Sequence, residues 1–557
     1  MSTNLESKVT LEKTENVKVE RKRSWFSWRK ILITLFVLLA VLSYFCLVPS
    51  RLIISPETTL ITQLNSEGKP DYAGVFMQEH NGQLKNPDDN GFRMVVEKFG
   101  PYILEQASLM NACVWEDLPN DKTGMGKWYH ETWVPLCNAM SIDPAKKPTE
   151  YKSIHSKMDK TGKEEYKKTD LRNALRNKAW RAEDYPDIAQ FVRESDEVLT
   201  IYAAAVKKPQ WVCYRTANNG LIAVLLPDIQ SSRAICTDFA IRANERVGRG
   251  DIAGAFDDAL SIFRIARHQT DGDDGMIVTR LVGFAVEGVG MSVMQSILTY
   301  GKPSAEQIRH FINELDKIPK YNKSIDNVIR LEKMIELEVL FDVQKFIDMV
   351  DYVDWSADSL FSDSYLAGVL FQLSAKSPID YNIAAKRIQS RFEPLEKMSK
   401  EYDLRKRMEM RDQMELDTKK LLTTTVKNPT FALSQMPLIR QRSALLADYI
   451  TCLMFPAVSG FITAEARLET QRDMLRVSFA LELYQRENGQ YPDKLEALVP
   501  KYISVIPDDI FAPQKLTYKK NDNGYILYSF GRNKIDDNGD AKQEKDIVVE
   551  RKIDVDK

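Results

Sequence analysis

The feature that most constrains this chain is an uninterrupted apolar run near its amino terminus, residues 31–48. A run of about 18 apolar residues is close to the shortest that spans the hydrocarbon core of a bilayer. Two basic clusters, Arg21-Lys22-Arg23 and Arg29-Lys30, precede it, and positive charge before a span keeps the preceding segment in the cytoplasm. The sequence therefore predicts a cytoplasmic basic tail (1–30) and a single transmembrane anchor (31–48) in the cytoplasmic membrane, with the remaining chain outside.

A cleaved signal peptide is the alternative interpretation of the same apolar run. The run ends in SYFCLVPS, which lacks the small-x-small pattern of a cleavage site. Cys46 also lacks the small residue that precedes a lipoprotein cysteine. Both observations favour an anchor that stays in place.

The composition predicts a folded region outside the membrane. The chain is 44% hydrophobic and 28% charged, with a formal net charge of -2, so it can bury a large core. Without a basic excess there is no electrostatic case for binding nucleic acid, and the basic clusters are better explained by the inner surface of the membrane. The expected partners are the cytoplasmic membrane and other envelope proteins, and nothing in the pattern indicates an oligomeric state.

Five cysteines lie beyond the anchor and would face an oxidising compartment. A disulfide between Cys113 and Cys137 is one interpretation of the pattern, and small buried thiols are the other, above all for Cys236 and Cys452 in apolar helical stretches. The spacing contains no C-x-x-C pair, which disfavours metal binding by cysteine.

Helical periodicity dominates the chain between residues 100 and 440. Residues 242–268 predict two helices around a turn at residues 248–251, with small and apolar side chains at the contact, and this resembles a tetratricopeptide-like hairpin. Residues 276–298 are apolar nearly all round and predict a central buried helix. Residues 443–463 are also apolar, and burial is favoured over a second membrane segment because Asp448 interrupts them.

Two long charged segments, residues 327–350 and 381–422, predict helices that are solvent-exposed or paired with a neighbour. Glu332 and Glu336 stand one helical turn apart and could perform acid/base chemistry. A solvated face is the favoured interpretation of this pair. The chain carries no complete hydrolase, phosphate-binding or dinucleotide motif, so no catalytic residue is assigned.

The last hundred residues predict a small α+β unit. Residues 464–484 have one apolar face, and Asn488-Gly489 followed by Pro492 predicts the end of that helix. Residues 516–518 and 525–529 are rich in aromatic and aliphatic side chains, and the turn at residues 521–524 between them predicts a β-hairpin.

The turn Gly489-Gln490-Tyr491-Pro492 and the later loop rich in Asp, Asn and Gly resemble the globular head of the type II secretion major pseudopilin. The resemblance implies a calcium-binding loop, and calcium prefers such oxygen ligands. A plain surface turn is the alternative, and the chain departs from the family by an Asn at the first ligand position and by about two extra residues before the last. The implied calcium ligands are Asn533, Asp536, Asp537, Asp540 and Asp546.

The layout of the whole chain, including SPETTLITQLNSEGKPDY after the anchor, resembles a group of bacterial single-pass membrane proteins. The expected fold is mainly α, with a helical ectodomain (49–442) followed by the pseudopilin-like domain (443–557). The expected function is an envelope interaction or scaffolding protein linked to a type II secretion or pilus-like apparatus. The alternative is an envelope hydrolase that uses Glu332 and Glu336 or the region of His130.

Overall fold

The computed structural model describes residues 30–41, 43, 48–83, 86–103, 119–121, 127–167, 169–217, 220–224, 226–271, 275–319, 324–350, 365–522, 524–542 and 545–552. Within these residues the chain is mainly helical and carries one three-stranded antiparallel sheet near its carboxyl end. The expected mainly α fold with a small sheet is confirmed. Residues 1–29 of the predicted tail and Cys113 lie outside the described residues.

The helices are, in chain order, α1 (Lys30–Val41), α2 (Tyr72–Asn81), α3 (Gly91–Phe99), α4 (Val134–Ala139), α5 (Ile154–Lys160), α6 (Glu164–Lys167), α7 (Thr169–Asn177), α8 (Pro186–Glu194), α9 (Asp196–Ala205), α10 (Pro227–Gly248), α11 (Ile252–Asp271), α12 (Ile277–Ser296), α13 (Ala305–Asp316), α14 (Asp326–Phe341), α15 (Val343–Val350), α16 (Tyr365–Lys376), α17 (Tyr381–Ser399), α18 (Leu404–Leu421), α19 (Pro429–Gln435) and α20 (Ile439–Asn488). Wider π turns extend three of the helices, at Tyr129–Trp133, Ile297–Gly301 and Leu422–Val426. The strands are β1 (Thr517–Asn521), β2 (Gly524–Ser529) and β3 (Ile547–Lys552).

The two helices predicted on either side of the turn at residues 248–251 are confirmed as α10 and α11, and their tetratricopeptide-like character stays a prediction. The chain turns directly after Gly248, where a Cβ atom would stand 1.9 Å from the carbonyl oxygen of Trp180, so only glycine fits there. The two helices are joined in the core by Arg242, which donates to both carboxylate oxygens of Asp258 at 3.1 and 2.6 Å.

α12 is the central buried helix that the sequence predicts. The helix and its π turn together span Ile277–Gly301. In the most apolar stretch of 18 residues within this span, 61% of the residues are buried inside the fold. Close packing against α11 depends on glycine, because a Cβ at Gly283 would stand 2.7 Å from Thr270 Cγ2. α12 therefore lies against α11 at a distance that a larger side chain would prevent.

α20 is a single helix of 50 residues that joins the helical body to the sheet. The predicted domain boundary between residues 442 and 443 falls within its first turn. Its amino-terminal half is buried among α12, α14 and α17, and Asp448 accepts two hydrogen bonds from Arg387, both at 3.0 Å. Burial of residues 443–463 is confirmed, and one continuous hydrophobic core extends from Tyr72 to Ile547.

The carboxyl-terminal unit is built on the second half of α20. The helix ends where predicted, because Gly489 adopts a left-handed φ of 80° and donates its N–H to the carbonyl of Gln485. The predicted hairpin is confirmed by the antiparallel pairing of β1 with β2, in which Thr517 faces Tyr528. β3 pairs with the other edge of β2 and completes the order β1-β2-β3.

The sheet is fastened to the helical body through Glu482 of α20. This buried carboxylate accepts from Arg551 Nε of β3 at 3.1 Å and from the hydroxyl of Tyr491 at 2.6 Å. Arg551 also donates to the carbonyl of Thr299 at 2.8 Å. Arg551 of the small sheet thus makes hydrogen bonds both to α20 and to the π turn that extends α12.

Three apolar helices of the described part bear on membrane association. Two are long and apolar enough to span a bilayer by length and composition, Ile277–Gly301 and Ile439–Asn488, but both are mostly buried inside the fold. α1 is shorter, and its large apolar side chains are between 47% and 73% exposed. Of these three helices, only α1 presents its apolar surface outward.

Candidate functional site

The predicted calcium loop follows β2 and closes on Asp546. Asp546 is 4% exposed, and its two carboxylate oxygens accept from the backbone N–H of Gly539 at 2.6 Å and of Asp537 at 3.4 Å. A buried carboxylate that accepts backbone N–H bonds holds a loop in one conformation. Asp546 is therefore a structural anchor of this loop in the fold described.

The other predicted ligands are also engaged within the loop. Asn533 donates to Asp537 at 2.6 Å, and Asp536 accepts from the Tyr528 hydroxyl at 3.1 Å. Asp540 accepts from the N–H of Lys542 and from the ammonium group of Lys545 at 3.1 Å, contacts that hold its pKa below the usual range. Two further lysine contacts lie at this loop, from Lys545 to Asp537 and from Lys519 to Asn538.

The donor types in the loop fit calcium, whose ligands are carboxylate, amide and carbonyl oxygens. In the conformation described, these oxygens are occupied by backbone N–H groups and by Lys545. Throughout the described ranges, no three His, Cys, Asp or Glu side chains come close enough together to hold a metal ion. Calcium would have to displace Lys545 from the loop, and the calcium site stays a prediction.

A calcium titration tests that prediction. If the loop binds calcium, a hundredfold excess over the dissociation constant is expected to stabilise the protein by about 2.7 kcal/mol, and Asp537→Asn is expected to abolish this gain. Asp546→Ala is a poor test, because it removes the acceptor of two backbone N–H groups and destabilises the loop without metal. Thermal melting of the full chain in calcium and in chelator measures the gain, and equal melting temperatures would contradict the prediction.

The solvated face expected around Glu332 and Glu336 is wrong. Both carboxylates are buried in the contact of α14 with α17 and α20, at 6% and 3% exposure. Burial raises the pKa of Glu332 to about 7 and that of Glu336 to about 8, where Thr451 donates to the carboxylate at 3.2 Å. Lys333, between them in sequence, pairs instead with Glu396. A substrate cannot reach either carboxylate in this fold.

The region of His130 offers no nucleophile or base arrangement among the described residues. The imidazole is exposed, and its Nε2 lies 2.9 Å from the carbonyl oxygen of Pro119. A backbone carbonyl is a structural partner for histidine. Cys137 is buried nearby, and burial raises the pKa of its thiol to about 12, while its predicted pairing with Cys113 involves a residue outside the described ranges.

Glu338, which the sequence places near the Glu332 and Glu336 pair without indicating a role of its own, lines a cavity of about 240 Å³ between α14 and the segment around Tyr72. Its Oε2 accepts the backbone N–H of Leu221 at 2.6 Å, beside Gly220, whose φ is 93°. Burial raises the pKa of Glu338 to about 7. The only signal in the sequence was its position two residues after Glu336.

A large concave surface, the cleft, runs along the second half of α20 and is formed by two adjoining hollows of about 540 and 610 Å³. α20 supplies a row of charged side chains to both hollows, which include Glu469, Asp473 and Arg476. The side chain of Arg476 is 51% exposed and contacts Asp473 at 3.2 Å. One wall comes from α11 and α13 and is mostly apolar, with Arg267 and Asp316 among its residues, and the other comes from residues 502–510 and the start of α18.

The floor of this cleft is held by a buried ion-pair cluster. Glu287 of α12 accepts two hydrogen bonds from Arg472 of α20, both at 2.5 Å, and a third from Arg267 of α11 at 3.3 Å. Arg472 also pairs with Glu469. A bidentate arginine between two helices fixes their separation, so the cleft is preorganised by side chains from three helices.

Comparison with known protein-family models, with curated protein sequences and with solved structures gives no match to this chain. The candidate sites are therefore interpreted from their own geometry. The cleft along α20 is the best candidate for a binding surface, because it is open, part apolar and part charged, and held by ion pairs at its base.

Proposed function

We propose that this chain is a membrane-anchored interaction or scaffolding protein of the cell envelope. The observation that carries the proposal is the exposure of α1, whose apolar side chains face outward on every side while the longer apolar helices are buried. An apolar helix without a protein partner is unstable in water, since roughly 25 cal/mol is lost per Å² of apolar surface exposed. A bilayer removes that cost.

The topology we propose is a single span with the amino terminus in the cytoplasm. The basic clusters before the run support this orientation through the excess of positive charge on the inner side. The helical body and the small sheet then lie outside the cytoplasmic membrane. The resemblances to tetratricopeptide hairpins and to the pseudopilin head belong to the same proposal and favour a partner in a type II secretion or pilus-like apparatus.

The cleft along α20 is the surface we propose for that partner. An exposed arginine beside apolar walls is typical of the residues that dominate protein interfaces. The rigid Glu287–Arg472 cluster below it lowers the entropy lost on binding, because the cleft is already formed.

The anchor is tested by introducing charge at its centre. Leu38→Arg with Leu39→Arg is expected to release the protein from membranes, because each arginine at the middle of a span costs roughly 2.5–3.5 kcal/mol. Flotation of cell membranes through a density gradient measures the bound fraction. Leu416→Arg with Val278→Arg is the matched control, since both side chains are about as exposed as those of α1 and lie on the helical body outside the cleft. Equal flotation of both variants would contradict the anchor.

The interaction role is tested on the same membranes by crosslinking. Arg476→Glu is expected to reduce recovery of a protein partner, whereas Arg249→Glu, which changes an exposed arginine at the α10–α11 turn, is the control that leaves the cleft intact.

The orientation is tested with protease. Protease added to intact spheroplasts should reach residues 480–546, and protection of that region would contradict the orientation.

An envelope hydrolase is the second candidate, and the observation that favours it is Glu338. A carboxylate whose pKa is raised to about 7 beside an open cavity is suited to acid/base catalysis. Turnover of a cell-wall or polysaccharide substrate by the full chain, with its loss in Glu338→Gln and no protein partner recovered, would favour this candidate over the first.

A further inference from the structure

The point where the chain leaves its apolar run is tied to one place on the helical body. Ser50 donates its hydroxyl to Asp380 at 2.5 Å, and Ile53 donates its N–H to Asn382 at 2.8 Å. Asn382 in turn donates to the carbonyl of Arg51 at 3.0 Å. These contacts seat residues 50–53 on the amino-terminal end of α17.

The ends of α16, α19 and α20 meet at the same place. Asp380 donates its N–H to Ser443 at 2.8 Å, and Arg442 donates to the carbonyl of Pro378 at 3.0 Å. Ser374 of α16 lies 3.3 Å from the sulfur of Met436, just after α19. The exit of the anchor and this corner of the bundle are therefore one continuous surface.

Large apolar side chains are exposed on this surface. They are 48% exposed at Leu373, 41% at Phe431, 53% at Leu433 and 41% at Leu438. Scattered exposed leucines are ordinary on a soluble protein. These four residues come from α16, α19 and the turn before α20, and the three helices pack against one another, so the four side chains lie at one corner of the body, which we call the patch.

The charge of the same surface is one-sided. Residues 418–447 contain no Asp or Glu, and Lys419, Lys420 and Arg440 among them are exposed. α16 has no acidic residue and ends in exposed Lys376. Basic side chains around an apolar patch are typical of surfaces that lie on a bilayer with anionic headgroups, because the headgroups attract each cation near the surface.

Geometry places this patch at the depth of the headgroups. Ser50 lies two residues after Val48, and an extended chain covers at most roughly 3.3–3.6 Å per residue, so Ser50 is within about 7 Å of the end of the apolar run. The interfacial layer on each side of the hydrocarbon core is roughly 5–8 Å thick. A surface hydrogen-bonded to Ser50 therefore meets this layer.

We propose that the corner formed by α16, α19 and the start of α20 is a second, peripheral membrane contact that lays the helical body on an anionic bilayer surface. The contact rests on the proposed function, because it requires the anchor. Its consequence is orientation. With the anchor alone, the helical body could rotate about residues 48–50. A second contact fixes which side of the body faces the membrane, and it therefore also fixes the direction in which the cleft opens.

Spin labelling of the full chain in vesicles tests this contact. In a background of Cys46→Ser and Cys113→Ser, a label is placed through Leu433→Cys in the patch or through Val505→Cys as the equally exposed control. The vesicles contain phosphatidylcholine with phosphatidylglycerol. We expect the label at 433 to collide mainly with oxygen, which concentrates in lipid, and the label at 505 to collide mainly with a water-soluble nickel chelate.

Charge reversal of Lys376 and Arg440 to Glu, or omission of phosphatidylglycerol, is expected to move the label at 433 towards the nickel chelate. If both labels meet the nickel chelate equally while the protein still floats with the vesicles, the peripheral contact is overturned and the anchor stands. If the protein does not float, the proposed anchor fails, and the surface contact fails with it. If the label at 433 stays in contact with lipid both after the charge reversal and without phosphatidylglycerol, the proposed attraction between the basic side chains and the anionic headgroups is overturned.

Discussion

Glu336→Gln is expected to stabilise the protein at pH 8 and above. The pKa of Glu336 is raised by burial from 4.5 to about 8, so the folded protein keeps a proton that the unfolded chain releases near 4.5. Stability therefore falls as the pH rises between these two values. Since each unit of pKa difference corresponds to roughly 1.36 kcal/mol, the ionised carboxylate costs a few kcal/mol at high pH, and a neutral amide of the same shape avoids that cost.

Urea unfolding of the detergent-solubilised protein at pH 5.5 and pH 8.5 measures this difference. The wild type should lose stability between the two conditions, and Glu336→Gln should lose distinctly less. Glu393→Gln on α17 is the control, because Glu393 is exposed and its replacement should leave the pH dependence as it was. If Glu336→Gln instead lowers the free energy of unfolding equally at pH 5.5 and pH 8.5, the prediction is wrong. The carboxylate would then be ionised in the folded protein and stabilised there by hydrogen bonds.

Arg407→Met is expected to destabilise the protein by about 3–5 kcal/mol, because it leaves a buried carboxylate without the guanidinium that pairs with it. Arg407 of α18 and Glu465 of α20 are both fully buried and lie 2.6 Å apart. The guanidinium also donates to the carbonyl of Glu401 at 2.6 and 3.0 Å. This pair holds α18 against the half of α20 that leads to the sheet.

A double-mutant cycle separates the pair from its surroundings. The variant that combines Arg407→Met with Glu465→Leu should recover most of the lost stability, because well-packed apolar residues replace a buried ion pair at little cost. Lys501→Met, which removes the exposed pair with Glu487, should change stability much less. Additive losses in the double variant would mean that the two charges act independently.

Several features of the fold followed from patterns within a few residues of one another. The turn between α10 and α11, where Gly250 has a φ of 85°, the stop of α20 at Gly489 and the hairpin of β1 and β2 each depend on glycine or on turn residues beside periodic apolar positions. Their geometry is local, because backbone conformation and the facing of side chains three or four apart require no distant partner. The apolar run of α1 belongs to the same class.

The candidate sites were decided by contacts far apart in sequence. Glu336 meets Thr451, 115 residues away, and Glu338 meets Leu221, 117 residues away. Both carboxylates stand in a sequence of alternating charge, which usually indicates a solvated face. Burial reversed that expectation, because α14 is enclosed by helices whose positions no local pattern specifies.

The sequence by itself determined the apolar run at residues 31–48, the helical class, the end of α20 and the pairing of β1 with β2, since each depends on interactions within a few residues. Only the tertiary structure decided that α20 is continuous and buried, that Glu332 and Glu336 lie in the core, and that Glu287 and Arg472 meet beneath a cleft. The physical reason is that burial and pKa are properties of everything packed around a residue. For the buried carboxylates of α12 and α14 the deciding partners lie far away in the chain, since Glu336 meets Thr451 and Glu287 meets Arg472, which are 115 and 185 residues distant.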